Sequence, residues 1–285
     1  MPNIQIVTDT GHNLPGDIRN QIPMIECPFR IHVGDDTFLD NGITLAELAE
    51  LLKRRKGSYP KTAAPNFGDF IEVFKASQKK DGVLVVTIGS SYSATYSNAV
   101  VAVRLFREET GSDLPIEVVD SRGGTMEQGF LLMEAHHLIR EGGSLDNVAE
   151  KLRNQADNDS LVFALRETTY LYRSGRAKTV QHLLASIIRV KPVLALKDGD
   201  LVLLDRVRGS DKAYDRVVEE VTTRSGGKIE RLAIIGGIDT KKEEKEVKEK
   251  ILARLSFVPT QIVEAKMCAA IMVNVGPHGV GAAWV

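Results

Sequence analysis

The stretch VTIGSSYSATYSNA, residues 86–99, joins the end of a strand pattern to the start of a helix pattern. It follows the apolar run VLVV at residues 83–86 and leads into a helix pattern at residues 99–106. Between them lie five small hydroxyl residues: Ser90, Ser91, Ser93, Thr95 and Ser97. The first N–H groups of a helix have no intrahelical acceptor and the helix dipole favours negative charge there, so this arrangement predicts an oxyanion receptor. The alternative interpretation is that these hydroxyls only cap the helix.

Strand and helix patterns alternate on either side of this stretch through the first half of the chain. The strand patterns occupy residues 4–8, 83–88 and 116–119. The helix patterns start with a capping box, TLAE at residues 44–47, and continue at residues 67–74, 128–141 and 145–154. Such alternation is typical of a mostly parallel sheet with helices on both faces.

The second half of the chain has a different pattern. Two strand patterns, residues 190–196 and 201–207, flank Asp198 and Gly199, which are a strong signal for a two-residue hairpin. The other predicted elements are a helix at residues 211–223, a strand at 232–235, a charged helix at 241–255 and strands at 260–264 and 269–273. We therefore predict two α/β domains, residues 1–160 with a mostly parallel sheet and residues 161–285 with a mixed sheet that contains the hairpin.

Composition excludes several classes of protein. The 285 residues are 43% hydrophobic and 26% charged, which is typical of a globular chain. A net charge of −1, from 37 basic and 38 acidic residues, gives no reason to expect a nucleic-acid partner. Cys27 and Cys268 have neither a metal-ligand spacing nor a disulfide framework, so we expect a reducing cytoplasm and no bound metal. We expect no signal peptide and no membrane span, because no apolar run approaches the roughly 18 residues that a span needs.

Short polar residues at turns and strand ends are the candidates for chemistry. They are Asp9 and Thr10, Asp120 and Ser121, the turn KTAAPN at residues 61–66, and the glycine-rich segment NVGPHGVG at residues 274–281. The ends of parallel strands and the close approach that glycine allows both favour ligand binding. Nucleophile-elbow, Walker A and dinucleotide-binding motifs are absent from the sequence. His278 lies in the glycine-rich segment, either facing a ligand or simply exposed.

Four arginines form a second candidate group. Arg173 and Arg176 flank a glycine that ends a predicted helix, where a cation interacts favourably with the helix dipole. Arg206 and Arg208 alternate along one strand and therefore face the same side. That strand face is either exposed to solvent or binds phosphate or acidic groups of a partner.

The order of these motifs resembles the DegV family of fatty-acid-binding proteins over essentially the whole chain. The motifs that carry the resemblance are the opening strand to Asp9 and Thr10, residues 62–66, 90–99, 120–121, 173–176, 190–193, 198–199 and 207–209, and the Gly276-Pro277 loop. The resemblance implies a two-domain α/β carrier that encloses a long-chain fatty acid, without catalytic residues and with no cofactor. In some family members a fatty acid kinase then phosphorylates the carboxylate to acyl phosphate.

The resemblance also implies the residues of the carboxylate site. Thr62 matches the carboxylate-binding threonine, although both serines of that family turn are replaced here. Ser93 matches the carboxylate-binding serine, and Ala94 replaces the glycine that follows it. Either Asn274 or His278 is expected to donate to the carboxylate.

The resemblance places the remaining candidates around the head group and the tail. Arg208 matches the basic strand end near the head group, with Arg173, Arg176 and Arg206 expected around the mouth of the site for a kinase partner or the acyl phosphate. The C-terminal domain is expected to contribute the acyl pocket. Aliphatic residues that could serve the tail include Leu183, Leu184, Ile187 and Ile188.

Two other functions fit the same residues. One is an enzyme acting on a phosphorylated or acidic small molecule, with residues 90–95 and Arg208 as its oxyanion site. The sequence offers no identifiable general base for such an enzyme. The other is a regulatory module that binds a protein partner through Arg173, Arg176 and Arg206.

Overall fold

The computed structural model describes residues 2–55, 59–158, 160–176 and 190–285. The chain groups into two compact units. Unit 1 comprises Met1–Arg30 and Ala63–Asn158, and unit 2 comprises Ile31–Thr62 and Asp159–Val285. This division differs from the predicted domains of residues 1–160 and 161–285, because Ile31–Thr62 groups with the second unit. The four aliphatic residues Leu183, Leu184, Ile187 and Ile188 lie outside the described residues.

The secondary structure of the described residues alternates between strands and helices. The strands are β1 (Ile4–Asp9), β2 (Met24–Cys27), β3 (Arg30–Val33), β4 (Asp36–Leu39), β5 (Lys61–Ala63), β6 (Gly82–Thr87), β7 (Ile116–Asp120), β8 (Leu161–Leu165), β9 (Lys191–Lys197), β10 (Asp200–Val207), β11 (Arg231–Gly236), β12 (Gln261–Lys266) and β13 (Gly279–Trp284). The α-helices are α1 (Gly16–Arg19), α2 (Leu45–Arg54), α3 (Phe67–Ala76), α4 (Thr95–Thr110), α5 (Met126–Arg140), α6 (Leu145–Ala156), α7 (Thr169–Ser174), α8 (Ser210–Arg224), α9 (Lys241–Leu252) and α10 (Ala269–Val275). Among these described helices, none is both long enough and apolar enough to cross a bilayer.

The sheet of unit 1 is parallel throughout, in the order β2-β1-β6-β7. Every residue of the central strand β6 is buried, which is why it reads as a continuous apolar run. On one face, Val83 and Val85 pack against Phe74 and Phe106, whose rings meet edge to face at 5.7 Å. Helices α5 and α6 contact the same strands. The prediction of a mostly parallel sheet is confirmed.

The sheet of unit 2 is mixed, in the order β10-β9-β8-β13-β11-β12. Only β11 and β12 pair in parallel, and the other neighbours are antiparallel. The predicted hairpin joins β9 to β10, with φ of 53° at Asp198 and 78° at Gly199. Positive φ at both turn residues matches the right-handed twist of the strands. The mixed sheet with a hairpin is therefore confirmed.

Two late elements differ from the prediction. The apolar segment at residues 269–273, predicted as a strand, belongs to the helix α10. A short apolar run fits a buried strand or a buried helix equally well, and here the buried Asp40 accepts a hydrogen bond from Ala270 N at 2.7 Å in the first turn. The glycine-rich segment also contains a strand, β13. A Cβ at Gly281 would lie 2.5 Å from Phe163 Cβ, so only glycine fits opposite Phe163.

Candidate functional site

The hydroxyl-rich loop of unit 1 leaves the carboxyl end of β6 and enters α4. Its key hydroxyl pair is Ser93 Oγ and Thr95 Oγ1, which lie 2.8 Å apart. Ser93 Oγ also accepts a hydrogen bond from Thr95 N at 3.3 Å. The N-cap residue of α4 is Ala94, which makes no side-chain cap hydrogen bond, so the contact of this pair with the helix start is the one from Thr95 N to Ser93 Oγ. Because Thr95 is fully buried while Ser93 is half-buried, Ser93 is the member of the pair nearer to solvent.

Ala94 fits its position without strain. It has φ of −78° and ψ of 3°, in a region open to any L-residue. Its side chain is exposed at the residue that precedes α4. The backbone there does not require the glycine found in the family motif.

In unit 2, the structure brings Thr62 and Asn274 together. Thr62 is half-buried on β5, and Asn274 lies near the end of α10. Asn274 Nδ2 donates to Thr62 Oγ1 at 3.2 Å and to Ala270 O at 2.7 Å. An amide nitrogen carries two protons, so these two bonds occupy both of them. Asn274 therefore orients the Thr62 hydroxyl and has no proton left to donate elsewhere.

His278 makes a different contact. Its Nδ1 lies 3.0 Å from the carbonyl oxygen of Ile238. A carbonyl oxygen only accepts, so Nδ1 carries the proton and Nε2 of the neutral ring carries a lone pair. Neutral His278 can therefore accept from a ligand through Nε2, and it donates there only when the ring is protonated.

The four arginines divide into two pairs. Arg173 stacks on the ring of Tyr59, with its guanidinium carbon 3.4 Å from the ring centroid. Arg176 follows Gly175, which ends α7 at φ of 66°. Arg206 and Arg208 are both exposed, whereas Val207 between them packs against the core of unit 2. Because β10 ends at Val207, Arg208 lies one residue beyond the strand on which it was predicted.

Sequence reasoning missed the buried polar groups of unit 1. Gln128 lies on α5 and is fully buried, and its Nε2 donates to Thr8 Oγ1 at 3.0 Å and to Asp9 Oδ1 at 3.2 Å. His12 accepts from Leu14 N through Nδ1 and faces Glu26 through Nε2 at 3.1 Å. For Gln128, the sequence signal was a polar residue among the apolar residues of the predicted helix at 128–141. The described residues contain no group of three or more His, Cys, Asp or Glu placed to hold a metal ion.

Known proteins are similar to this chain over essentially its whole length. Residues 3–285 match the family model described as "Uncharacterised protein, DegV family". A DegV domain-containing protein of Caldanaerobacter subterraneus is 29% identical over 99% of this chain and 98% of its own. A solved structure described as fatty acid binding of a DegV family protein from Thermus thermophilus has a TM-score of 0.87 at 26% identity, over 100% of both chains. The Streptococcus pneumoniae Fatty Acid Kinase (Fak) B3 protein loaded with linoleic acid has a TM-score of 0.84 at 20% identity, over 99% of both chains.

Proposed function

Because the chain belongs to the DegV family, we propose that it is a carrier that binds a long-chain fatty acid. The observation that carries this proposal is the hydrogen bond from Asn274 Nδ2 to Thr62 Oγ1. A hydroxyl that already accepts from the protein directs its own proton to another acceptor. An ionised carboxylate has acceptors only, so it is the natural partner for Thr62.

Ser93 has the same arrangement as Thr62. Its Oγ accepts from Thr95 N, and Thr95 Oγ1 is in reach to donate to it as well. When Thr95 is the donor of this pair, the proton of Ser93 is left for a ligand. We propose that Thr62 and Ser93 each donate to the carboxylate. Hydrogen bonds to an ionised acceptor are shorter and stronger than those between neutral groups.

The acyl chain supplies most of the binding free energy in this proposal. Burial contributes about 0.8 kcal/mol per methylene, so about 14 methylenes give about 11 kcal/mol before the costs of association. A few hydroxyl donors are therefore enough for the head group. The specificity for an acid over an alcohol depends on those donors.

We further propose that the bound carboxylate is presented to a fatty acid kinase for conversion to acyl phosphate. The name of the Streptococcus pneumoniae relative, a Fatty Acid Kinase (Fak) B3 protein, supports this role. The exposed pair Arg206 and Arg208 supports it as well, because guanidinium groups bind phosphate oxygens through two parallel hydrogen bonds. The chain itself acts as a carrier and not as the enzyme.

Native mass spectrometry and titration together test the proposal. Protein purified from cells is expected to carry a fatty acid of about 14 to 18 carbons, whereas a phosphorylated metabolite would favour the enzyme alternative. After delipidation, the double variant Thr62→Ala, Ser93→Ala is expected to bind oleate at least about a hundredfold more weakly, because each of the two lost hydrogen bonds to a charged group contributes about 1.5–3 kcal/mol.

The matched control is Ser97→Ala. Its hydroxyl is exposed on the first turn of the same helix and donates to Ala94 O at 2.9 Å. This variant is expected to bind oleate like the wild type. Equal oleate affinity in the double variant and the wild type would remove Thr62 and Ser93 from the site.

A further inference from the structure

The carboxylate of Asp9 joins three segments of unit 1. Asp9 is the last residue of β1 and is completely buried. Its Oδ1 accepts from Gly11 N at 2.8 Å and from Gln128 Nε2 at 3.2 Å, and its Oδ2 accepts from Ile88 N at 2.7 Å. Ile88 is the first residue after β6. One side chain therefore links the turn after β1, the helix α5 and the start of the hydroxyl-rich loop.

The next two residues of that loop are held from outside in the same way. Gly89 N donates to Gly123 O at 2.7 Å, and Ser90 N donates to Asp120 Oδ1 at 3.1 Å. Three successive backbone N–H groups thus have three acceptors, one at the end of β1 and two at the end of β7 and the loop that follows it. Those acceptors fix the path of the chain at residues 88–90.

The backbone at Gly89 is also closely packed. A Cβ at Gly89 would lie 2.7 Å from the Tyr92 hydroxyl and 2.9 Å from the backbone of Arg122. Tyr92 N returns to Gly89 O at 3.4 Å, which closes a turn directly before Ser93. The position of Ser93 therefore follows from the position of residues 88–90.

Resting on the function proposed above, we infer that Asp9 and Asp120 are positioning residues of the carboxylate site: they align Ser93 through the backbone of residues 88–90 without touching the fatty acid. Asp9 holds the residue that enters the loop, and Asp120 holds the residue two positions later. Asp120 also accepts from Arg122 N at 2.9 Å, so it ties the loop to the segment that follows β7.

The free-energy cost of burying a negative charge at Asp9 supports this positioning role. Burial raises the pKa of Asp9 to about 6, and the hydrogen bonds from Ile88 and Gly11 lower it only in part. Ionised Asp9 is thus unfavourable for folding at neutral pH. Its neighbour Gln128 is also buried, with Oε1 lacking a hydrogen-bond partner among the described residues. Residues that reduce stability in a protein core are typical of positions where the geometry of a site matters.

The test compares Asp9→Asn with Asp81→Asn in the full chain. Asparagine offers one oxygen where Asp9 uses two, so its NH₂ group faces an N–H donor. Asp81 is a matched control because it also accepts a backbone N–H, from Asn3 at 2.7 Å, but it directly precedes β6 and is exposed. Asp9→Asn is expected to weaken oleate binding at least tenfold and to speed amide hydrogen exchange at residues 88–95. Asp81→Asn is expected to change neither measurement.

Binding of oleyl alcohol, the alcohol that matches oleate, distinguishes a misaligned carboxylate site from a general loss of structure. It is expected to be the same in Asp9→Asn as in the wild type, because the alcohol carries no carboxylate. A folded Asp9→Asn variant with wild-type oleate affinity and wild-type exchange at residues 88–95 would overturn the inference while leaving the proposed function intact. If the wild type binds no fatty acid, the proposed function fails, and hydrogen exchange alone decides whether the two carboxylates hold the loop.

A second variant, Asp120→Asn, keeps the inference testable if Asp9→Asn does not fold. Asp120 is only half-buried, and Asp120→Asn perturbs the same loop from its other end. It is expected to speed exchange at residues 88–95 and to weaken oleate binding by several fold. If Asp9→Asn is unfolded and Asp120→Asn leaves both measurements unchanged, the inference is wrong.

Discussion

Asn274 Nδ2 lies 3.2 Å from Thr62 Oγ1, so the last helix of the chain donates to a hydroxyl 212 residues earlier. The second amide proton of Asn274 is bound to Ala270 O within the same helix. Asn274 can therefore act on a carboxylate only through Thr62. This relationship separates the two residues that the sequence left as alternatives, Asn274 and His278.

Asn274→Ala is expected to weaken oleate binding about five- to tenfold. Without the amide donor, the Thr62 hydroxyl is free to turn its proton away from the ligand, and one hydrogen bond of about 1 kcal/mol is lost. Isothermal titration of the delipidated protein measures the change. Asn274→His restores a side-chain N–H and is expected to recover most of the affinity. Wild-type affinity in Asn274→Ala would show that Thr62 needs no orientation by this residue.

Glu26 is expected to make stability depend on pH in the acid range. Burial raises its pKa, but hydrogen bonds from His12 and Arg19 outweigh burial and lower the pKa to about 2. The folded pKa lies below the unfolded value of 4.5. This contribution to stability is therefore complete above about 4.5 and is lost as the pH falls towards 2.

Glu26→Gln is thus expected to lower the free energy of unfolding by about 2 kcal/mol at pH 7. Urea unfolding at pH 7, 5 and 3 should show the difference from the wild type shrinking at the lowest pH. Glu72→Gln, at an exposed position of α3, serves as the control and should have little effect at any pH. A difference for Glu26→Gln that stays constant down to pH 3 would contradict the assignment.

Arg208→Ala is expected to leave oleate binding unchanged and to reduce kinase-dependent formation of acyl phosphate at least threefold. In the proposed role, the exposed guanidinium of Arg208, one residue beyond β10, binds phosphate oxygens. The measurement is a reconstituted kinase reaction with sub-saturating carrier, with the exposed Arg254→Ala as the control. Wild-type formation of acyl phosphate with Arg208→Ala would contradict the phosphate role. Arg208 would then contribute no more than a surface ion pair, which is worth under about 1 kcal/mol.

Asp40→Ala is expected to loosen α10 and to lower the free energy of unfolding by about 1–2 kcal/mol. Asp40 is buried, and its Oδ1 accepts from Ala270 N at 2.7 Å in the first turn of that helix. Hydrogen exchange at residues 269–275 measures the loosening. Asp40→Asn keeps an acceptor oxygen and should be milder than Asp40→Ala. Equal protection of the helix in all three proteins would show that Asp40 does not hold it.

Local signals predicted much of the fold. The capping box at Thr44 and Glu47 forms as expected, because both of its hydrogen bonds join residues three apart. The hairpin at Asp198 and Gly199 forms because positive φ is a property of those two residues themselves. Strand β6 could be predicted from its own apolar composition, because all of its residues are buried.

Other elements could not be predicted from the residues of their own segment. The apolar run of α10 has the length of a strand as well as of a helix, and the acceptor for its first turn comes from Asp40, 230 residues away. The strand β13 carries glycines that suggest a loop, yet Gly281 is required by the side chain of Phe163 on the neighbouring strand. In both places the deciding contact lies on another segment of the chain.

The sequence by itself identified the candidate side chains, because Thr62 and Ser93 match the family motifs, although the segment of Thr62 was predicted as a turn and is strand β5. Only the tertiary structure decided how those hydroxyls are held. The partner of Thr62 is Asn274, 212 residues away, and the loop before Ser93 is tied to Asp9, 79 residues from Ile88. Capping and hydrophobic periodicity act over a few residues, whereas hydrogen bonds of this kind depend on the strand order and register that bring distant segments into contact.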